Sequence, residues 1–343
     1  MLPKKVIWFG FAVMAVMFFF VLKDVHWPQF WDAIFHFNLV WLIPALIIYL
    51  LGYVIRGFRW IILLSPIKKC SFQDLFPTLI IGFMANNLLP ARAGEFVRAY
   101  LNGSKEKISR SASLATIVVE RIFDGLAMLI ILWASLAFGH LQIENIDPNV
   151  QSAIHKCPYV FGFAFLVLFI LVLMREKAMT VVGFFTRLLP SKVSKPVDKI
   201  AHTFIDGLKI LQSGRESILV LTISLAAWTC ELTCYYFLAI GMGIAPSLLG
   251  IWSTALLMAV VNIAILVPNA PGGFGLFEYV GKKLLISFAI PIETAVGYIL
   301  IVHFVVWLPI NLLGIYYMGR EHLSLKKLEK SREEDLTPER TGK

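Results

Sequence analysis

The sequence predicts an all-α integral membrane protein: a polytopic helical bundle of about six spanning helices, plus two inverted, broken-helix units that re-enter the bilayer. Three observations predict it. The chain is 58% hydrophobic and only 15% charged over 343 residues, whereas soluble domains carry about 25% charged residues. Several apolar runs approach the roughly 20 residues that cross a bilayer. Two such runs are broken by proline, glycine and charge, around Pro90 and around Pro268. The formal charge of +9 would suggest nucleic acid as a partner of a soluble protein; here the gathering of Lys and Arg in cytoplasmic loops accounts for it.

Residues 6–22 form an apolar segment behind Lys4 and Lys5. No small-x-small cleavage site follows, so it reads as an uncleaved first helix with the N-terminus inside. Residues 23–38 read as an outer loop with Trp27 and Trp31 at interface depth. Residues 39–64 return to the cytoplasm; Arg56 and Arg59 near the end of this helix share a face and read as snorkelling to the inner interface. Residues 72–90 and 91–103 form a hairpin, and Arg92, Arg98, Lys105, Lys107 and Arg110 place both its ends on the cytoplasmic side. Spans at 111–138, 158–174, 217–241 and 293–318 follow, with a polar outer loop at 139–157 and a second interrupted unit at 248–290. Residues 175–216 form a cytoplasmic excursion. In it Val193, Val197, Ile200, Phe204, Leu208 and Leu211 recur at helical spacing opposite lysines, the pattern of an amphipathic surface helix. One transmembrane domain thus occupies 1–320, and 321–343 is a charged, apolar-poor tail expected to be disordered and cytoplasmic.

The stretch from Asn86 to Tyr100, NNLLPARAGEFVRAY, organises the rest. A charge at the bilayer centre costs roughly 2.5–3.5 kcal/mol, so it sits there only when buried in protein or wetted by a cavity. Proline removes a backbone donor, and a broken helix at membrane depth is tolerated only where the freed groups find partners. The stretch therefore reads as a re-entrant hairpin lining a polar cavity; a surface loop between two helices is the alternative. Residues 79–98 and 255–278 resemble each other: an apolar run, an Asn, a closing Pro, then Gly and Glu. With one unit's ends inside and the other's outside, the two form an inverted pair, the arrangement that secondary transporters use around a midplane site.

Three polar clusters are candidates for the site. The first is Asn86, Asn87, Arg92, Glu95 and Arg98, where guanidinium forks suit an anionic group and Glu95 and Arg98 share a helical face. An internal salt bridge holding the hairpin is the alternative. The second is Glu120, Arg121 and Asp124, charges within one span that must face the protein interior and could pair with Arg92 or Arg98, or bind a proton or cation. The third is Pro268, Asn269, Pro271, Gly272, Gly273, Gly275 and Glu278, whose glycines permit close backbone approach. Pro90, Gly94, Pro268 and Pro271 are the expected helix breaks. Glu231 and His303 stand singly in apolar spans and read as satisfied interior hydrogen bonds, with a proton relay as the alternative.

Several chemistries lack their signature. Cys70, Cys157, Cys230 and Cys234 form neither a CxxC nor a Cys/His metal pattern, and Cys230 and Cys234, one turn apart in an apolar run, read as free buried thiols. PGGFG does not complete GxGxxG, and no GxxxxGK(S/T), HExxH or GxSxG occurs. The expectation is a protein with no cofactor, metal, catalytic residues or ATP motor, and not an enzyme.

NNLLPARAGEFVRA (86–99), VVERIFDGL (118–126) and PNAPGGFGLFE (268–278) together resemble the lysylphosphatidylglycerol synthase transmembrane region, the flippase-domain family. The likeness covers roughly residues 1–320. It implies that Asn87, Pro90, Arg92, Gly94, Glu95, Arg98, Glu120, Arg121, Asp124, Pro271, Gly272, Gly273, Gly275 and Glu278 are family-type positions. It also implies a stand-alone member, since the short tail leaves no room for the family's aminoacyl-transferase domain.

The expectation that follows is a flippase moving a polar or anionic-headgroup lipid (aminoacyl-phospholipid, hopanoid or polyprenyl-linked) between leaflets of the bacterial inner membrane, with both termini cytoplasmic. A secondary transporter of a small anionic solute and an intramembrane lipid-headgroup enzyme are the rivals. Expected partners are membrane lipids, with a separate lipid-modifying synthase and further copies of the chain compatible with that role; nucleic acid is not among them.

Overall fold

The computed structural model describes residues 4–89, 93–139, 214–265 and 270–323, together with isolated positions between 151 and 166. Among the described residues the protein is all helical. Ten α-helices run in chain order: α1 Lys4–Leu22, α2 Trp27–Phe35, α3 Leu42–Leu64, α4 Phe72–Leu88, α5 Gly94–Glu106, α6 Arg110–Phe138, α7 Gly214–Gly241, α8 Ile251–Ala264, α9 Leu276–Ser287 and α10 Ile292–Arg320. The helices at Leu39–Leu64, Gly214–Gly241 and Ile292–Arg320 are long and apolar enough to cross a membrane. Most of the features expected at 139–157, 158–174 and 175–216, and 324–343, with Pro90, Arg92, Pro268 and Asn269, lie outside the described residues.

The long helices lie antiparallel and define two ends. Asn38 N donates to Gly241 O at 2.8 Å, which sets the start of α3 beside the end of α7. Further along, Arg56 meets Glu231 and Arg59 meets Ser224. At one end, rich in Lys and Arg, Lys68 pairs with Glu106 at 2.7 Å and Lys105 with Glu321 at 2.6 Å. This joins the α3–α4 turn, the end of α5 and the end of α10. At the other end, rich in Trp and Phe, His26 meets Glu293 at 3.0 Å and the Phe138 ring meets Trp252. The predicted outer loop 23–38 is not all loop: it folds into α2, with Pro28 in its first turn and Trp27, Trp31 and Phe35 exposed. A Pro near a helix start costs no hydrogen bond, because that N–H lacks an intrahelical acceptor anyway.

Two helical hairpins point into this bundle from opposite ends. α4 and α5 start and finish at the basic end. Their pairing is antiparallel, since a Cβ on Gly82 would touch Arg98 and one on Gly94 would lie 2.1 Å from Gly82 O. Glycine is required at 94 because the two backbones cross there without room for a methyl group, so Gly94 serves close packing as well as the break. Ser71 caps α4 by accepting from Asp74 N at 3.2 Å. α8 and α9 start and finish at the aromatic end and are joined by a turn containing a 3-10 segment, Pro271–Gly273. Gly272, Gly273 and Gly275 hold φ of 70°, 81° and 89°, a left-handed region that residues with a Cβ seldom enter. At 1.5 Å per residue, the 17, 13, 14 and 12 residues of α4, α5, α8 and α9 rise about 25, 20, 21 and 18 Å, short of the roughly 30 Å hydrocarbon core.

The largest apolar cluster joins α3 and α6–α10, with Tyr235, Leu257, Leu284, Tyr298 and Ile299 buried in it. A second cluster, around Trp60, Leu63 and Phe123, links α3, α4 and α6 near the basic end.

Candidate functional site

The polar residues of the spans gather into one buried network. Arg59, fully buried, grips Asp124 with both terminal nitrogens, at 2.6 and 3.2 Å, and donates to Ser224 Oγ at 2.7 Å. Trp228 Nε1 donates to the same carboxylate at 3.0 Å. Arg98 forks onto Glu120 at 2.9 and 2.7 Å, and its guanidinium lies 3.7 Å from the centre of the Trp60 ring. Arg121 bridges Glu120 and Asp124 and lies 3.8 Å from Glu95. One turn nearer the aromatic end, Arg56 pairs with Glu231 at 2.9 Å and lies against the rings of Tyr53 and Trp228. Four arginines and four carboxylates cancel, which is what burial demands: an unpaired charge in such surroundings costs several kcal/mol.

Arg56 and Arg59 therefore do not snorkel. They are 4% and 0% exposed, and each has a carboxylate partner on another helix, which outweighs the gain from reaching the interface. Glu95 and Arg98, expected to act on one face, take different partners: Arg98 goes to Glu120 and Glu95 faces Arg121.

Beside the network lies a cavity of about 290 Å³. Both hairpins and α3, α6, α7 and α10 contribute to it. Asn86 and Asn87 enter from the end of α4, and Asn262 with Pro271, Gly272 and Gly273 from the second hairpin. Arg121 and Asp124 come from α6, Arg56 from α3, Glu231 from α7, and His303 and Trp307 from α10. Arg56 Nη1, Asn86 Oδ1 and Trp307 Nε1 are buried and have no hydrogen-bond partner among the described residues. Arg121 Nε is a third such donor on a cavity residue; buried donors in native proteins are nearly always satisfied, so these donors call for an oxygen, from water or from a ligand.

Of the expected site residues, the structure brings Asn86, Asn87, Arg121, Asp124, Pro271, Gly272 and Gly273 to this cavity. Arg98 and Glu120 stay behind it as a closed pair, and Glu95 borders a smaller adjoining space with Gly94 and Arg98. Glu278 is fully buried beneath the second turn: it accepts from Gly275 N at 2.7 Å, capping α9, and meets His303 Nδ1 at 2.5 Å. Gly275 packs instead on α1, where a Cβ would lie 2.8 Å from Met17. Sequence reasoning did not place Arg56, Tyr49, Tyr53, Trp228 or Trp307 at the site. A signal existed for Arg56 and Glu231, opposite charges within two apolar spans. Among the described residues no cluster of His, Cys, Asp and Glu could hold a metal, and Cys70, Cys230 and Cys234 are free.

The family model described as the lysylphosphatidylglycerol synthase TM region matches residues 7–314. The chain belongs to this family. Among curated relatives of this family member, it is 26% identical over 252 residues to the UPF0104 membrane protein MJ1078 of Methanocaldococcus jannaschii, covering 71% of this chain and 98% of that one. It is 22% identical over 302 residues to MJ1595 of the same organism, covering 82% and 84%. It is also 27% identical over 259 residues to a protein named glycosyltransferase AglD of Haloferax volcanii; the match takes in 68% of this chain but only 41% of that protein. No solved structure matches the chain.

Proposed function

We propose that this membrane protein moves a lipid with a polar or anionic head group between the two leaflets of the cell (inner) membrane, without covalent chemistry. The observation that carries the reading is the cavity between the tips of two opposed hairpins, with Arg56 Nη1 and Trp307 Nε1 unpartnered inside it. In this reading α4–α5 and α8–α9 are re-entrant hairpins and form an inverted repeat. Helices of 12 to 17 residues that return to their own end support it. The basic end is cytoplasmic, in keeping with its lysines and arginines, and both termini lie there. A cavity of about 290 Å³ takes a head group but not acyl chains, so the chains remain in lipid while the head exchanges water for protein donors. That exchange lowers a barrier of several kcal/mol for each unsatisfied polar group. Membrane lipids are the partners, of aminoacyl-phospholipid, hopanoid or polyprenyl-linked type, and a separate synthase would supply them.

The assay is purified protein in liposomes carrying head-group-labelled phosphatidylglycerol, its lysyl ester or a polyprenyl phosphate, with outer-leaflet label followed in time. Movement of one lipid, slowed in Trp307→Phe, in which a smaller aromatic ring replaces the indole and the free N–H is gone, is the expected result. Equal rates in protein-containing and empty liposomes for every lipid would reject the reading. A second reading, an enzyme acting on a lipid head group, draws on the name of the AglD relative. It predicts a new covalent product in the same liposomes.

A further inference from the structure

Outside the arginine network, His303 in the cavity wall meets Glu278, which lies behind it on the second hairpin. His303 is 4% exposed and Glu278 0%. The imidazole is held from three directions. Nδ1 is 2.5 Å from Glu278 Oε1, Nε2 is 3.0 Å from the carbonyl oxygen of Gly272, and the rings of Phe274 and Phe277 lie with centroids 4.4 Å from it. The other carboxylate oxygen of Glu278 accepts from Gly275 N.

Donor accounting fixes the proton count. A carbonyl oxygen only accepts, so Nε2 carries hydrogen. The Nδ1 to Oε1 contact then needs one more proton, either on Nδ1 as imidazolium beside carboxylate or on Oε1 as carboxylic acid beside neutral imidazole. Both forms have zero net charge and one proton beyond the neutral-imidazole, ionised-carboxylate state. Removing that proton leaves the imidazole a single hydrogen for two acceptors. The bond to the carboxylate is charge-assisted and the stronger, so the hydrogen stays on Nδ1, and Gly272 O is the buried acceptor left facing a lone pair. The contact at stake ties the Pro271–Gly275 turn, where three glycines already hold left-handed backbone, to α10.

We propose that the Glu278–His303 pair binds a proton that latches the glycine turn of the second hairpin against α10, and that loss of this proton frees the turn at the cavity wall. The site would thereby be proton-linked. The pair sees few other charges. Facing it across the cavity are Tyr49, Tyr53 and Arg56 from α3, Arg121 and Asp124 from α6, and Glu231 from α7; α4 contributes only the amides Asn86 and Asn87. On α9 the next charged groups are Lys282, which bonds the Phe20 and Val21 carbonyls of α1, and Lys283. Arg56 and Glu231 neutralise each other, and Arg121 and Asp124 belong to the balanced network with Arg59, Arg98, Glu95 and Glu120. The sign follows from linkage: the latched form binds the extra proton, so rising pH favours the free form.

The test is hydrogen–deuterium exchange of the full chain in nanodiscs, read on peptides covering 270–277 and expressed as protection relative to intrinsic exchange, between about pH 5 and 9. The wild type should lose protection in one step of at least about tenfold as pH rises. In Glu278→Gln, the amide can donate to Nδ1 while Nε2–H stays on Gly272 O, so protection should persist at the high end of the range. His303→Gln, which has no proton to give up, should show no step. A flat wild-type profile, or a step unchanged in both variants, overturns the proposal. That the latch admits or excludes a lipid head rests on the translocation reading, and liposome flux at the same pH values separates the two. An exchange step with no lipid movement leaves the latch standing and removes the lipid; lipid movement without a step does the reverse.

Discussion

Replacing Glu120 by Leu tests the buried network most directly. Its carboxylate is fully buried and is shared by Arg98, Arg59 and Arg121. With Asp124 and Glu95 these residues sum to three positive and three negative charges, so Glu120→Leu leaves one uncompensated guanidinium in the interior. Breaking a buried pair on one side costs about 3–5 kcal/mol. Arg98→Leu should cost a similar amount by stranding Glu120 with one fork fewer. The double variant restores neutrality and replaces the pair with apolar volume under Trp60, which is often close to neutral for stability. The assay is thermal unfolding in detergent followed by tryptophan fluorescence. Each single variant should melt on the order of 10 °C lower, while the double variant should lie nearer the wild type than either single. If the two losses simply add, Arg98 and Glu120 are not energetically coupled and the picture of a charge-balanced network is wrong.

Other outcomes follow from local geometry. Gly94→Ala puts a Cβ 2.1 Å from Gly82 O and should cost at least about 3 kcal/mol or abolish folding, whereas Gly214→Ala meets nothing within 4 Å and should be neutral or stabilising by up to about 1 kcal/mol; melting temperatures compare them. Arg56→Lys keeps the charge facing Glu231 but loses the second fork aimed into the cavity. It should stay within about 1.5 kcal/mol of wild-type stability while slowing lipid movement in the liposome assay, and unchanged flux would exclude Arg56 from the site. The Cys70 thiol is pushed up to about 11, from a reference of 9.0, by burial first and by the Glu106 carboxylate second. With Cys157, Cys230 and Cys234 replaced by Ser, its maleimide labelling at pH 8 should be about 100-fold slower than that of a free thiol and should rise steadily with pH toward 11. A plateau by pH 9 would show an unshifted group.

The long apolar elements were legible from sequence because a run of hydrophobic residues has few other uses. The spans expected at 39–64, 111–138, 217–241 and 293–318 match helices at Leu42–Leu64, Arg110–Phe138, Gly214–Gly241 and Ile292–Arg320. The interrupted units were legible for the opposite reason, since proline, asparagine and glycine are costly inside such runs. Pairing was not legible. Arg56 and Glu231 lie 175 positions apart, and no local pattern distinguishes an arginine that snorkels from one that finds a carboxylate on another helix. Helix α2 was missed although Trp27, Phe30, Trp31, Ile34 and Phe35 recur at helical spacing, because nine residues are too few to cross a bilayer and a Pro stands in their first turn. Glu278 and His303 were each noted, but their union needs the fold, as one caps α9 and the other sits mid-way along α10.

The cancellation of charge in the core has an electrical consequence. Arg56, Arg59, Arg98 and Arg121 are matched by Glu95, Glu120, Asp124 and Glu231, so this network, moving as a unit, offers the membrane voltage no net charge to pull on. A passenger would feel the field through its own charge alone, about 2.3 kcal/mol per elementary charge for each 100 mV. A zwitterionic head would cross at a rate indifferent to voltage, and an anionic head would be driven toward the positive side. The direction of travel would then be written in the lipid and not in the protein.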